Sequence, residues 1–312
     1  MSDKIKPVVS AIICTHNPRF DYLDRVIDGL KTQNLPYSEW EFLLVDNASD
    51  KLLSNEVDLS WQPNSRYIRE DKLGLTSARL RGIKEAKTEL LVFIDDDNVI
   101  DQDYLEVALQ ISREFPFLGA WGGQIIGEFE TQPPAWAKRF FSYLAIREFD
   151  QDRWSNLLHQ LDTTPFGAGM CVRKNVANQY ANSIKTDKRR LELDRKGNDL
   201  QRVIPFSCGD IDLAFTACDM GLGTGLFTSL KLTHLISSNR VTEEYLLRLF
   251  EGSTYSQLIL DSYRGKLPQI NRSWKQKIRE FYGYWNINPI QRRFYRAGKR
   301  ATRLATQEIL GH

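Results

Sequence analysis

Cysteine and methionine are sparse in this chain, and neither sign of charge dominates it. The four cysteines, Cys14, Cys171, Cys208 and Cys218, form no CxxC pair, which argues against a zinc ribbon or a redox dithiol. They read as buried free thiols of a reducing compartment. The formal charge is only +2, from 42 basic and 40 acidic side chains, so bulk electrostatics point to no nucleic-acid partner. Long apolar runs are missing as well. Val8–Cys14 and Leu90–Ile94 fall far short of the roughly 20 residues that span a bilayer. Met1–Lys6 is short and polar, with no signal-peptide core behind it. A cytoplasmic protein is expected, free to lie against a membrane. There is no internal repeat, no low-complexity linker, and no GxGxxG after the first apolar run, which speaks against a nicotinamide-binding Rossmann enzyme. What is present, 42% hydrophobic residues in a chain of 312, can fill one large α/β domain with an appendage, or two modest domains.

Short β-rich runs alternate with helical periodicity. Val8–Cys14, Glu41–Val45, the neighbourhood of Arg66–Ile68, and Leu90–Ile94 read as strands. Tyr22–Gln33 and Leu75–Ala86 read as helices between them. Strand, helix and strand joined by short loops predict a parallel sheet covered by helices. In such sheets ligands bind beyond the carboxyl ends of the strands, and here those ends carry Thr15 and Asn17, Asp46, and Asp95-Asp96-Asp97. Beyond about residue 119 the pattern changes to an aromatic-rich stretch, then Phe166–Met170 as a small-residue strand or turn. A charged segment from Lys185 to Arg202 comes next, then a helix opening at Cys208-Gly209-Asp210-Ile211-Asp212, and helices from Thr242 onward.

Three adjacent carboxylates repel one another unless a cation or hydrogen-bond donors compensate. Asp95-Asp96-Asp97 therefore reads either as an acidic turn capping the next helix or as a seat for a hard divalent ion, Mg²⁺ or Mn²⁺, shared with substrate phosphates. Asp46 is either turn chemistry or a hydrogen-bonding group for a nucleobase edge. Asp210 is either a helix N-terminal carboxylate or a general base for an acceptor hydroxyl.

Taken together, these motifs resemble the family 2 glycosyltransferases, whose nucleotide-binding domain has the GT-A fold. The likeness runs from Val9 to about Ser253. Val-Ser-Ala-Ile-Ile-Cys-Thr-His-Asn is similar to the opening strand, which implies Thr15 and Asn17 beside the nucleoside. Leu-Leu-Val-Asp-Asn-Ala-Ser implies base recognition, commonly of uracil, by Asp46. Gly74 with Ala78-Arg79 and Gly82 implies Arg79 near the diphosphate, and Val-Phe-Ile-Asp-Asp-Asp implies Asp97 on the metal with Asp95 on metal or ribose and Asp96 beside the donor. Gly167, Gly169 and Met170 resemble the acceptor-side segment. Cys-Gly-Asp-Ile-Asp-Leu is similar to the Glu-Asp motif, with Asp210 as base and Asp212 on the acceptor side; Gly209 stands where many members carry Glu. His234 implies a further metal ligand or a structural hydrogen bonder, and Arg240 a contact to the diphosphate or a surface ion pair.

The resemblance implies an inverting enzyme that moves sugar from a nucleotide-diphosphate sugar, UDP-linked in the simplest case, to a saccharide or lipid-linked acceptor with Mn²⁺ or Mg²⁺. It also implies a division into a donor-binding half (1–120), an acceptor-binding and catalytic half (121–240) and a basic helical extension (241–312). Trp121, Trp136, Phe140, Phe141 and Tyr143 read either as a sugar-stacking platform, with Trp136 on the acceptor side, or as packing. The C-terminal Arg272, Lys275, Lys277, Arg279, Arg292, Arg293, Arg296, Lys299, Arg300 and Arg303, with aromatic neighbours, read either as peripheral contact with anionic lipid or as a solvated face on the catalytic domain. Two rival readings stand beside the transferase. One is a haloacid-dehalogenase-like phosphatase with Asp95 as nucleophile; the other is a non-catalytic nucleotide-sugar-binding scaffold.

Overall fold

A computed structural model describes residues 6–193, 208–267, 284 and 286–311. The chain alternates β1 (Val9–Thr15), α1 (Phe20–Lys31), β2 (Trp40–Asn47), β3 (Ser65–Glu70), α2 (Leu75–Glu85), β4 (Leu90–Ile94), β5 (Asn98–Ile100), α3 (Tyr104–Glu114) and β6 (Leu118–Phe129). A 3₁₀ segment, Ala135–Leu144, then leads to β7 (Arg153–Ser155), β8 (Met170–Arg173), α4 (Lys174–Thr186), α5 (Gly209–Asp219), β9 (Gly223–Ile236), α6 (Glu243–Tyr263) and α7 (Pro289–Leu310).

All these strands join one sheet in the order β3-β2-β1-β4-β8-β6-β9-β5, with β7 on β9. The run β3-β2-β1-β4 is parallel throughout, and β6 and β9 pair parallel; β8, β5 and β7 run the other way. The sheet is buried on both faces because its central strands are mostly apolar, so alternate residues feed two cores. Val9, Ala11 and Ile13 of β1 face Leu23, Val26 and Leu30 of α1, whereas Ile12 faces the opposite core with Ala78 of α2, Val176 of α4 and Ala214 of α5. Each buried Val, Leu or Ile side chain among them contributes about 1.5–3 kcal/mol of transfer free energy.

Two further clusters fasten the C-terminal helices. Phe215 of α5 packs with Tyr255 and Ile259 of α6 and Ala301 and Ala305 of α7. Phe140 of the 3₁₀ segment stacks on Phe294 of α7 at 3.8 Å between ring centroids. Small residues Ala297, Ala301 and Ala305 give α7 the inner face that lets it lie close, while Arg293, Arg296, Arg300 and Arg303 stay exposed. Arg293 pairs with Glu243 at 3.0 Å, and Arg300 with Glu251, so α6 neutralises part of that basic face. Arg272, Lys275, Lys277 and Arg279 lie outside the described residues, as does the charged stretch from 194 to 202. Among the described residues no helix is long and apolar enough to cross a membrane.

Candidate active site

Strand register brings the acidic loops to one edge. Thr15 at the end of β1 sits opposite Asp46 at the end of β2, and Ile13 sits opposite Ile94, so the Asp95–Asp97 turn emerges beside Thr15. The Thr15 hydroxyl donates to Asp96. On the far side, β5 pairs with β9 so that Asn98 faces His234, and the Leu235 N–H donates to the Asp97 carbonyl at 2.8 Å. That pairing, over more than a hundred residues of chain, delivers His234 to the turn.

Around Asp97 three side chains meet. Arg240 Nη1 lies 2.7 Å from Asp97 Oδ2 and 3.1 Å from His234 Nε2, and Nε2 is 3.2 Å from the same carboxylate oxygen. A guanidinium only donates and a carboxylate only accepts, so the tautomer of His234 decides whether Nε2 accepts from Arg240 or donates to Asp97. In either case the Arg240 guanidinium faces the Asp97 carboxylate. Among the described residues no three His, Cys, Asp or Glu side chains form a ready cage for a metal. The acidic turn suits instead a hard cation that takes one or two protein ligands and completes its shell with phosphate oxygens and water, and Asp95 and Asp97 are the carboxylates there.

Asp210 opens α5, where backbone N–H groups and the helix dipole favour a carboxylate. Its Oδ2 accepts from the Gly167 N–H at 2.7 Å and its Oδ1 from the Ile211 N–H at 2.9 Å. Arg79, only 7% exposed, lies 3.8 Å from Asp95 and feels the charge of both Asp95 and Asp210. Gly167 makes this approach possible, since a Cβ there would stand 2.4 Å from Arg79 Nη2 and 3.2 Å from Asp210. Gly209 is also closely packed: a Cβ would meet Thr76 Oγ1 at 3.0 Å and the Leu193 carbonyl at 3.2 Å. The absence of Glu at this position is built into the packing.

These groups share a cavity of about 750 Å³ lined by Thr15, Arg79, Asp95, Asp96, Asp97, Gly167, Asp210, His234 and Arg240. Burial first, then the neighbouring charge of Asp97, push the Asp96 carboxyl up to about 7, against the hydrogen bond from Thr15. Folded Asp96 thus holds its proton more tightly than the unfolded chain does. Stability falls as pH rises from the ordinary value of 3.8 through about 7. Metal-free protein should melt several degrees lower at mildly alkaline than at mildly acidic pH. Asp96→Asn should flatten that slope in EDTA; if the variant keeps the wild-type slope, another group is responsible.

Other residues singled out in the sequence lie elsewhere. Asn17, at φ 48°, ties the β1 and β2 loops together by exchanging hydrogen bonds with Asp50. Asp46 is 5% exposed and accepts from the Ser49 N–H (3.1 Å), the Leu53 N–H (3.3 Å) and Arg69 (2.8 Å). Burial would raise its pKa, but the Ser49 hydroxyl, Arg69 and these two backbone N–H groups together hold it below the usual value. Gly169, at φ 70°, accepts on its carbonyl from the Tyr104 hydroxyl at 2.6 Å, and Met170 is fully buried. Trp136 packs edgewise on Phe140, and Trp121 is buried in the core; of the aromatic set, Tyr143 reaches the cavity. Asp212 is fully buried between Arg190 and Arg264, away from the cavity, because two residues along a helix turn through about 200°.

Sequence reading missed the outer wall. Ser253, Thr254 and Gln257 of α6, Thr302 of α7, and Arg147 stacked on Phe166 line the cavity. Burial first, helped by nearby Arg153, lowers the Arg147 pKa to about 10, which leaves it cationic at neutral pH. No local motif marks such residues, since only the tertiary fold brings them to the site. His16, beside Thr15, also lines the cavity and could have been read from the same strand end.

The family model for glycosyl transferase family 2 matches residues 10–178, more than half of the chain. The chain belongs to glycosyl transferase family 2. The matched stretch of this family 2 chain contains the turn of carboxylates, Arg79 and Gly167. Glycosyltransferase AglE of Haloferax volcanii is 28% identical over 103 residues, 32% of this chain and 34% of that protein. The putative glycosyltransferase EpsH of Bacillus subtilis is 26% identical over 110 residues, 35% of this chain and 31% of that protein. The matches thus span about a third of the length of these curated relatives. A crystal structure of S. aureus TarS in complex with UDP-GlcNAc superposes with a TM-score of 0.51 at 14% identity, covering 97% of this chain and 82% of that one. That likeness supports the GT-A type of fold, and family membership sets aside the phosphatase reading of Asp95.

Proposed function

We propose that this family 2 chain is an inverting, metal-assisted glycosyltransferase that moves a sugar from a nucleoside-diphosphate sugar to a hydroxyl of a saccharide or lipid-linked acceptor. The observation that carries the reading is Arg79: it stands between Asp95 of the acidic turn and Asp210 at the head of α5, within one cavity. In this reading residues 1–120 hold the donor, 121–240 supply the base and part of the acceptor side, and 241–312 close the cavity. Thr15 and Asn17 border the nucleoside. Asp46 ends β2 directly opposite Thr15, where we take it to meet the base; uridine also suits the UDP-GlcNAc carried by the TarS structure.

Asp210 takes the proton from the acceptor hydroxyl as its oxygen attacks the anomeric carbon and the bond to the diphosphate breaks. Arg79 and Arg240 are fixed cations facing the negative charge that grows on the leaving diphosphate, in a partly water-excluded site where such charges count most. Asp97, with Asp95 or His234, would hold a divalent ion, which would supply Lewis-acid stabilisation of that leaving group.

Calorimetry with UDP in Mn²⁺ tests the donor side. Wild type should bind, and Asp97→Ala should bind about tenfold or more weakly, the scale expected for a disturbed metal site. Equal affinity for wild type and Asp97→Ala, with or without EDTA, removes the metal from the proposal. A wild type that binds none of a panel of nucleoside diphosphates removes the donor.

A further inference from the structure

A second cavity, of about 850 Å³, lies on the outer side of α2. Its two banks are α2, with the loop before it, and α4 with the short 3₁₀ turn Lys188–Glu192. The floor is apolar, built from Leu80, Ile83, Ile184 and Leu191. The rim is cationic: Lys72, Arg81 and Lys84 stand on one bank, and Lys185 and Lys188 on the other. Arg81 is paired with Glu85 at 3.1 Å. The four lysine ends have no ion pair among the described residues, and all four residues are exposed. Lys174, at one end, caps the last turn of α2 by donating to the Ala86 carbonyl at 2.9 Å and to that of Ile83. Glu70 is the one acid in the described lining.

This groove and the catalytic cavity share their walls. Leu75 and Arg79 of α2 face the catalytic cavity, whereas Leu80, Arg81 and Lys84 face the groove. After α4, Lys188 and Leu191 line the groove and Leu193 lines the cavity. From Lys72 to Lys84 the bank follows most of α2, a length of about 15 Å, more than a single sugar needs. We propose that the groove holds an anionic polysaccharide, with lysines of both banks on its acid groups and the apolar floor against the carbon faces of its rings. The described lining contains no aromatic side chain, so the stacking platforms by which single-stranded nucleic acid is held are missing. That this polymer is the growing acceptor, its end presented to Asp210, rests on the transferase reading; binding in the groove does not.

Fluorescence anisotropy with labelled short-chain polygalacturonate is the test, with a maltodextrin of equal length as neutral control and a single-stranded oligonucleotide as the other polyanion. Wild type should bind polygalacturonate, more weakly as salt rises, and in preference to both controls. The double variant Lys84→Glu, Lys188→Glu should lose about tenfold or more in affinity. Lys84→Gln, Lys188→Gln should lose less, and both should melt as wild type and bind UDP with Mn²⁺ unchanged. Unchanged polygalacturonate affinity in a folded double variant, equal affinity for maltodextrin, or tighter binding of the oligonucleotide overturns the proposal. Binding that behaves as expected in a protein that transfers no sugar keeps the groove and sinks the transferase; the converse keeps the transferase alone.

Discussion

Asp210→Asn is expected to lower the turnover of sugar transfer about a hundred- to ten-thousand-fold, the range for loss of a general base, while donor affinity stays close to wild type. Both carboxylate oxygens accept backbone N–H groups, from Gly167 and Ile211, and an amide oxygen can retain one of them. The variant therefore keeps the local fold but cannot accept a proton. Arg79 lies close to Gly167, so its position should survive too, which separates this change from one that merely collapses the site. Initial rates with a labelled nucleotide sugar, together with calorimetry of nucleoside diphosphate binding, check both halves. Wild-type rates in a folded variant would assign the base elsewhere.

Two residues along the same helix, the expectation is one of stability. Asp212 is fully buried and holds Arg264 at 2.8 Å and Arg190 at 3.1 Å. Arg264 is 2% exposed on its side chain, and it also gives a hydrogen bond to the Asp212 carbonyl at 2.9 Å. Removing the carboxylate leaves guanidinium charge buried against α5 with Asp219, 40% exposed, as the remaining counter-ion of Arg264 among the described residues. Breaking one partner of a buried pair typically costs about 3–5 kcal/mol. Asp212→Ala should therefore lower Tm by about 10 °C, whereas Asp219→Ala should cost about 1 kcal/mol or less, as exposed pairs do. A melt of Asp212→Ala within a degree or two of wild type would show that water or another group compensates the arginines.

The sequence made the N-terminal third readable because its signals are local. Continuous apolar runs ending in polar turns placed β4 at Leu90–Ile94, as observed, and β1 within a residue at each end. Gly74 ahead of a 3.6-residue periodicity located α2. The reversed strands were harder: β5 and β7 are three residues long, too short for an alternation to register. Asp210 and Asp212 look equivalent in a motif, yet helical geometry sends one to the cavity and the other into an ion-pair network. The C-terminal helices show charge in the sequence, while their part in the fold lies in the residues between the charges. Phe294, Ala297 and Ala301 make α7 a packing surface, and Thr302 turns toward the cavity.

That outer wall has a bearing on how such a chain changes over time. The stretch recognised as family 2 ends at residue 178, and Ser253, Thr254, Gln257 and Thr302 all lie past it. Mutations in α6 and α7 can reshape what enters opposite Asp210 without moving the turn of carboxylates at the end of β4. In the proposed reading, selection can thus retune the choice of acceptor in one part of the gene while the machinery for the donor stays under separate constraint in another.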